Sequence, residues 1–110
     1  MLTTYPYLQY AVHGGHGLWD EDLDRAGIGR RVEATASSLV ALPYMLAETE
    51  LVTLLPESLG RRVASSAEIV LLEPDMAITP LHQSMFWHAR RDRDPGHAWL
   101  RDQIHAVAHP

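Results

Sequence analysis

The chain has 110 residues, 46% of them apolar, no cysteine and a formal net charge of −5: enough for one core, too apolar to stay disordered, and without disulfide or thiolate chemistry. All nine basic residues are arginines, scattered except for the pairs Arg30-Arg31, Arg61-Arg62 and Arg90-Arg91, and an acidic chain without a basic face has no electrostatic means to hold a duplex. No apolar run reaches the roughly twenty residues that span a bilayer. The N-terminus lacks a basic leader region, so the sequence predicts a cytoplasmic chain with no membrane association and no direct nucleic-acid contact.

Residues 7–12 read as a short strand, apolar and aromatic between Pro6 and a glycine cluster. Residues 13–17, His-Gly-Gly-His-Gly, form a loop whose glycines permit close backbone approach. A helix over 18–26 turns Leu18, Trp19, Leu23 and Ala26 toward the core and Asp20, Glu21, Asp22 and Asp24 outward near its positive end, and Gly27 stops it. Residues 31–36 are a second strand. Residues 39–48 read helical, with Leu39, Leu42 and Leu46 on one side, but Pro43 lies too deep for an unbroken helix and predicts an irregular first turn or a kink. The apolar run 51–55 is a third strand, closed by Pro56, which suits the first position of a helix over 57–64.

Residues 69–72 read as a fourth, fully buried strand, and 73–80, with two prolines, as a connection. Met85-Phe86-Trp87 breaks two-residue alternation and predicts a fifth strand covered on both faces. Asp94 and Pro95 then start a last helix. Its stripe Leu100, Ile104, Val107 and Ala108 should be buried, and His97, Arg101, His105 and His109 should face water. Strands alternating with helices call for an α/β fold, a Rossmann-like parallel sheet with flanking helices and right-handed crossovers. Leu54, Val70 and Leu71 should then be nearly inaccessible.

Several stretches carry a resemblance. Phe86-Trp87-His88, a charged turn, then Asp94-Pro95 and Trp99-Leu100-Arg101, resemble the C-terminal end of LysR-type transcriptional regulators, closest to the nodulation-regulator-like branch that senses aromatic inducers. Gly15-His16-Gly17, Asp20, Arg25-Ala26-Gly27-Ile28 and Arg30-Arg31 are similar to the opening of the second effector lobe in that branch, and Glu50-Leu51 with Pro56 to its middle. The resemblance covers nearly the whole chain. It implies a periplasmic-binding-protein type II-like lobe over 1–75, a hinge over 76–80, and a strand and C-terminal helix over 81–110 that return to the first lobe. It also implies a small aromatic or carboxylated inducer, no enzymatic activity and no cofactor. The family's winged helix-turn-helix, linker helix and most of the first lobe have no counterpart here, so the sequence reads as a fragment or truncated reading frame. DNA contact falls to a full-length parent. Where related sensors often have Pro-His-Phe, this chain has Ser37-Ser38-Leu39.

Ligands of open parallel sheets collect at the carboxyl ends of the strands. The candidate binding residues there are Gly14, Gly15, His16, Ser37 and Ser38, with His82 just past the hinge. Ser37 and Ser38 either present hydroxyls and backbone N–H groups to a carboxylate or simply cap the following helix. The His-Gly-Gly-His-Gly loop is either a backbone wall beside the ligand or a tight turn whose histidine packs on Trp19. His13 with His16, and His105 with His109, have ligand-like spacing, but neither pair gains the third ligand a zinc site needs, so no metal is expected. The sequence has no Gly-x-Ser-x-Gly elbow and no lysine for a phosphate loop. The expected role is inducer sensing, with homodimerisation. A stand-alone interaction module and, distantly, a histidine-metal hydrolase are the alternatives.

Overall fold

The structure, a computed structural model, describes residues 4–12 and 17–109. Its centre is β1 (Tyr7–Tyr10), followed by α1 (Asp20–Arg25), β2 (Val32–Ala36), α2 (Leu42–Met45), α3 (Glu57–Ala67), a single 3₁₀ turn (Ala89–Arg91) and α4 (Pro95–Ala108). β1 and β2 are parallel, with Leu8 opposite Ala34, Gln9 opposite Thr35 and Tyr10 opposite Ala36. On its other side, Tyr7 pairs in parallel with Val52. The core is built on this middle strand: Tyr7, Leu8, Ala11, Trp19, Leu23, Leu42, Val63 and Ala67 are buried.

The expected third strand shrinks to this one bridge. Val52 N–H donates to Pro6 O at 2.9 Å and Leu8 N–H to Val52 O at 2.8 Å. A continuing parallel ladder would next bring Leu54 N–H to Leu8 O. Instead the Thr53 hydroxyl donates to that carbonyl at 2.6 Å. In the following segment, Pro43 acts as expected: residues 39–41 form a turn, and only Leu42–Met45 is helical, with the proline in its first turn. α3 is longer than its apolar pattern predicts and ends on Glu68 in the left-handed conformation, φ 55°. At Gly60 of this helix a Cβ would come within 3.0 Å of Leu71 Cδ2, so the leucine would have to shift slightly to admit one.

The two later strands do not form. Residues 69–72 and 85–87 carry no ladder among the described residues. Val70 is 84% exposed, Leu71 44% and Phe86 89%, and Leu54 is half-buried, so the expected burial of Leu54, Val70 and Leu71 is overturned. The physical reason is pairing. A continuous apolar run marks surface that needs cover, but a strand exists only where a neighbour offers a matching edge.

α4 shows the same shortfall. None of its residues is buried, and Trp99, Leu100, Ile104 and Val107 are exposed, against the expected buried stripe. The opposite stripe is better held: the Arg101 guanidinium stacks 4.5 Å from the Trp87 ring, and it donates to Arg91 O and Asp92 O and bonds His97. The radius of gyration is 17.2 Å, against about 13 Å for a closed domain of this size.

With so little packing, α4 depends on local bonds. Asp94 accepts from Gly96 N–H at 3.0 Å and His97 N–H at 3.2 Å. The His97 N–H chiefly, with Gly96 N–H and Arg91 adding to it against a smaller cost of burial, holds this carboxyl below its usual range. Replacing Asp94 with Ala is expected to speed amide exchange severalfold through residues 96–100 and leave β1 unchanged, as read by hydrogen–deuterium exchange.

Candidate functional site

The parallel pairing sets two strand ends side by side. Ala11 N–H, just past β1, donates to Ala36 O at the end of β2 at 3.0 Å, so Ala11 lies beside the start of the Ser37-Ser38 segment. Both serines are exposed. Ser38 does cap locally: its Oγ and its carbonyl oxygen accept from Ala41 N–H at 3.3 and 3.2 Å. The four-residue α2 begins only after that turn. Gly14, Gly15 and His16 lie outside the described residues. His82 is exposed and makes no hydrogen bond to either serine among the described residues.

Behind these strand ends sits a buried polar cluster that the sequence reading misassigned. Asp20 and Asp22, expected to point outward, are each 5% exposed, whereas Leu18, expected in the core, is 42% exposed. The cause is the set of donors around Asp20. Gln9 Nε2 donates to both of its carboxylate oxygens at 3.1 and 2.8 Å, Gly17 N–H donates to one, and Arg30 Nη2 pairs with it at 2.9 Å. Arg30 reaches on to Asp24 at 2.9 Å. Burial alone would raise the Asp20 pKa, but Gly17, Gln9 and Arg30 outweigh it and hold the carboxyl below its usual range. Burial, with the Asp20 charge adding and Arg30 opposing, pushes the neighbouring Tyr7 phenol up to about 12.

Gly17 is part of the same device: a Cβ there would lie 2.6 Å from both Asp20 Oδ1 and Gln9 Nε2. The legible signals were Gln9 inside an otherwise apolar strand and a carboxylate three residues after a glycine. Together they tie Gly17 and the start of α1 to β1.

Two adjoining clefts lie along residues 51–58. One of about 560 Å³ lies between residues 51–54 and 68–76 and is lined mainly by Ile28, Leu46, Leu51, Leu54, Ile69 and Leu72. The other, about 840 Å³, reaches from Trp19 and residues 53–58 to residues 78–81. Neither includes Ser37, Ser38 or His82. Among the described residues, no group of three or more His, Asp or Glu side chains is placed to hold a metal ion, and no helix is long and apolar enough to cross a membrane.

The LysR substrate binding domain family matches residues 1–109. The HTH-type transcriptional activator NagR of Ralstonia sp is 36% identical over 97 residues, 83% of this chain and 30% of that protein. The HTH-type transcriptional regulator SyrM of Rhizobium meliloti (strain 1021) is 30% identical over 86 residues, 78% of this chain and 26% of that protein. The chain therefore spans less than a third of these curated relatives. The crystal structure of the regulatory domain of MexT, a transcriptional activator in Pseudomonas aeruginosa, superposes with a TM-score of 0.61 at 22% identity, over 91% of this chain and 50% of that one. That likeness shows the fold, a periplasmic-binding-protein type II-like α/β architecture of which β1 and β2 are the parallel nucleus. With relatives that are transcriptional regulators rather than enzymes, and a match running from the first residue to the last but one, this chain belongs to the LysR substrate-binding domain family.

Proposed function

We propose that the chain senses a small aromatic or carboxylated inducer at the carboxyl ends of β1 and β2, as the effector-binding part of a LysR-type regulator. The observation that carries this reading is the Ala11 N–H to Ala36 O bond, which sets the two strand ends side by side. Gly14, Gly15 and His16 would supply backbone and imidazole groups, Ser37 and Ser38 hydroxyls and N–H groups, and His82 would approach from beyond the hinge. Residues 1–75 then act as the second lobe, 76–80 as the hinge, and 81–110 as the strand and helix that return to a first lobe. DNA contact belongs to a parent protein in the cytoplasm. NagR and NahR, the latter 28% identical over 87 residues in Pseudomonas putida, are named as transcriptional activators, which fits a regulatory role.

Titration with salicylate, followed by amide chemical shifts, tests the site. The expected result is shifts at residues 11–17 and 36–38, weakened when Ser37 and Ser38 are both replaced by Ala. Shifts confined to α4 would overturn the placement. A second reading, a self-pairing interaction module, is favoured by the bare apolar stripe of α4. Its mechanism is homodimerisation through residues 81–109.

A further inference from the structure

Asp22 sits in the first turn of α1 and is 5% exposed. Its two carboxylate oxygens are taken by one residue far along the chain. Thr79 N–H donates to Oδ2 at 3.2 Å and the Thr79 hydroxyl to Oδ1 at 2.7 Å. Arg25 Nη1 adds a third bond at 3.0 Å. Two bonds from one residue to two oxygens of one carboxylate fix a direction as well as a distance, and the charge on the acceptor strengthens both. The Thr79 hydroxyl, first, and then its N–H and Arg25, hold the Asp22 carboxyl below its usual range despite burial.

Among the described residues beyond Pro80 nothing comparable is present. Among the described residues no side chain from 81 to 109 is buried, and the side-chain hydrogen bonds of that stretch stay within it, as in Trp87 to Asp92 and Arg101 to Arg91. Apolar packing therefore does not orient α4 against the lobe.

We infer that Asp22 and Thr79 form a latch that fixes the direction in which the chain leaves the lobe after Pro80, and that releasing it frees residues 80–84 to swing. The latch goes beyond the inducer reading and needs no ligand. If an inducer does act on this lobe, the latched angle is what it would have to change.

The absence of cysteine gives a clean test. Spin labels on Ser65→Cys in α3 and Ser84→Cys, four residues past Pro80, diluted with unlabelled chain so that only distances within one molecule are read, report the direction of departure by electron spin resonance. The expected result is one narrow distance distribution with Thr79 present. It should widen about twofold in Thr79→Val, as for a segment released from one of two states, and further in Asp22→Ala. Thr79→Ser, which keeps the hydroxyl, should restore the narrow distribution. Thr79 is exposed, so Thr79→Val leaves the lobe folded even if Asp22→Ala does not, and amide protection of β1 checks this. Equal widths with Thr79 and with Val at that position, whether both narrow or both broad, would overturn the latch. Because no arm uses salicylate, failure here and failure of the inducer site are read separately.

Discussion

Replacing Asp20 with alanine is expected to lower the unfolding free energy by about 3 kcal/mol, the low end for breaking a buried ion pair. The low end applies because Arg30 keeps Asp24 as a partner at 2.9 Å. What the variant leaves behind is the Gln9 amide and the Gly17 N–H, both buried and robbed of their acceptor. Urea denaturation followed by tryptophan fluorescence measures the loss, since Trp19 lies beside Asp20 and is 6% exposed. A change below about 1 kcal/mol would mean that the cluster does not hold the strand end. The same carboxylate sets a pH dependence. Its folded pKa lies below its ordinary value, so its contribution is complete above the unfolded pKa of about 4 and is lost as pH falls through the folded one. The Asp20→Ala protein should therefore show a shallower loss of stability below that pH than the parent.

At micromolar concentration the chain is expected to sediment at twice its 12.3 kDa mass. Leu100, Ile104 and Val107, on one face of α4, are exposed, Val107 to 80%, and Phe86 and Trp99 are exposed as well. Apolar patches beyond a few hundred Å² are rarely left uncovered in soluble proteins. At roughly 25 cal/mol per Å², covering ~400 Å² contributes on the order of 10 kcal/mol before the cost of association. A second copy is the partner always at hand, and exchange of the C-terminal segments about residues 73–80 is one route to it. Leu100→Arg with Ile104→Arg should return the chain to a monomer. A parent chain that stays monomeric under the same conditions would sink the prediction.

The parts legible in the sequence were those whose signal is local. The strand over Tyr7–Tyr10, the break at Pro43 and the Asp94-Pro95 helix start each follow from a few adjacent residues, and each is present. The later strands were not decided locally. Ile69 to Leu72 and Met85 to Trp87 have strand composition, but a strand is a property of two segments, and no ladder forms on either one. Asp20 and Asp22 failed for a related reason. Acidic residues at a helix start normally face water, and the approach of Gln9, Arg30 and Thr79 from other segments turns them inward. The family resemblance survived because motif order along a chain does not depend on which side chains meet.

The central position of β1 bears on how the chain reaches its fold. β1 lies between partners that come later in the chain, β2 on one side and Val52 on the other. Both pairings are parallel, so each requires a crossover rather than a tight hairpin. Tyr7 and Leu8 therefore stay without ladder partners until residues 32–36 and then Val52 have been made. Folding dominated by such non-local pairing belongs to the slow end of small domains, on the order of milliseconds to seconds. For that interval β1, apolar and aromatic apart from Gln9, presents open edges to any other chain it meets.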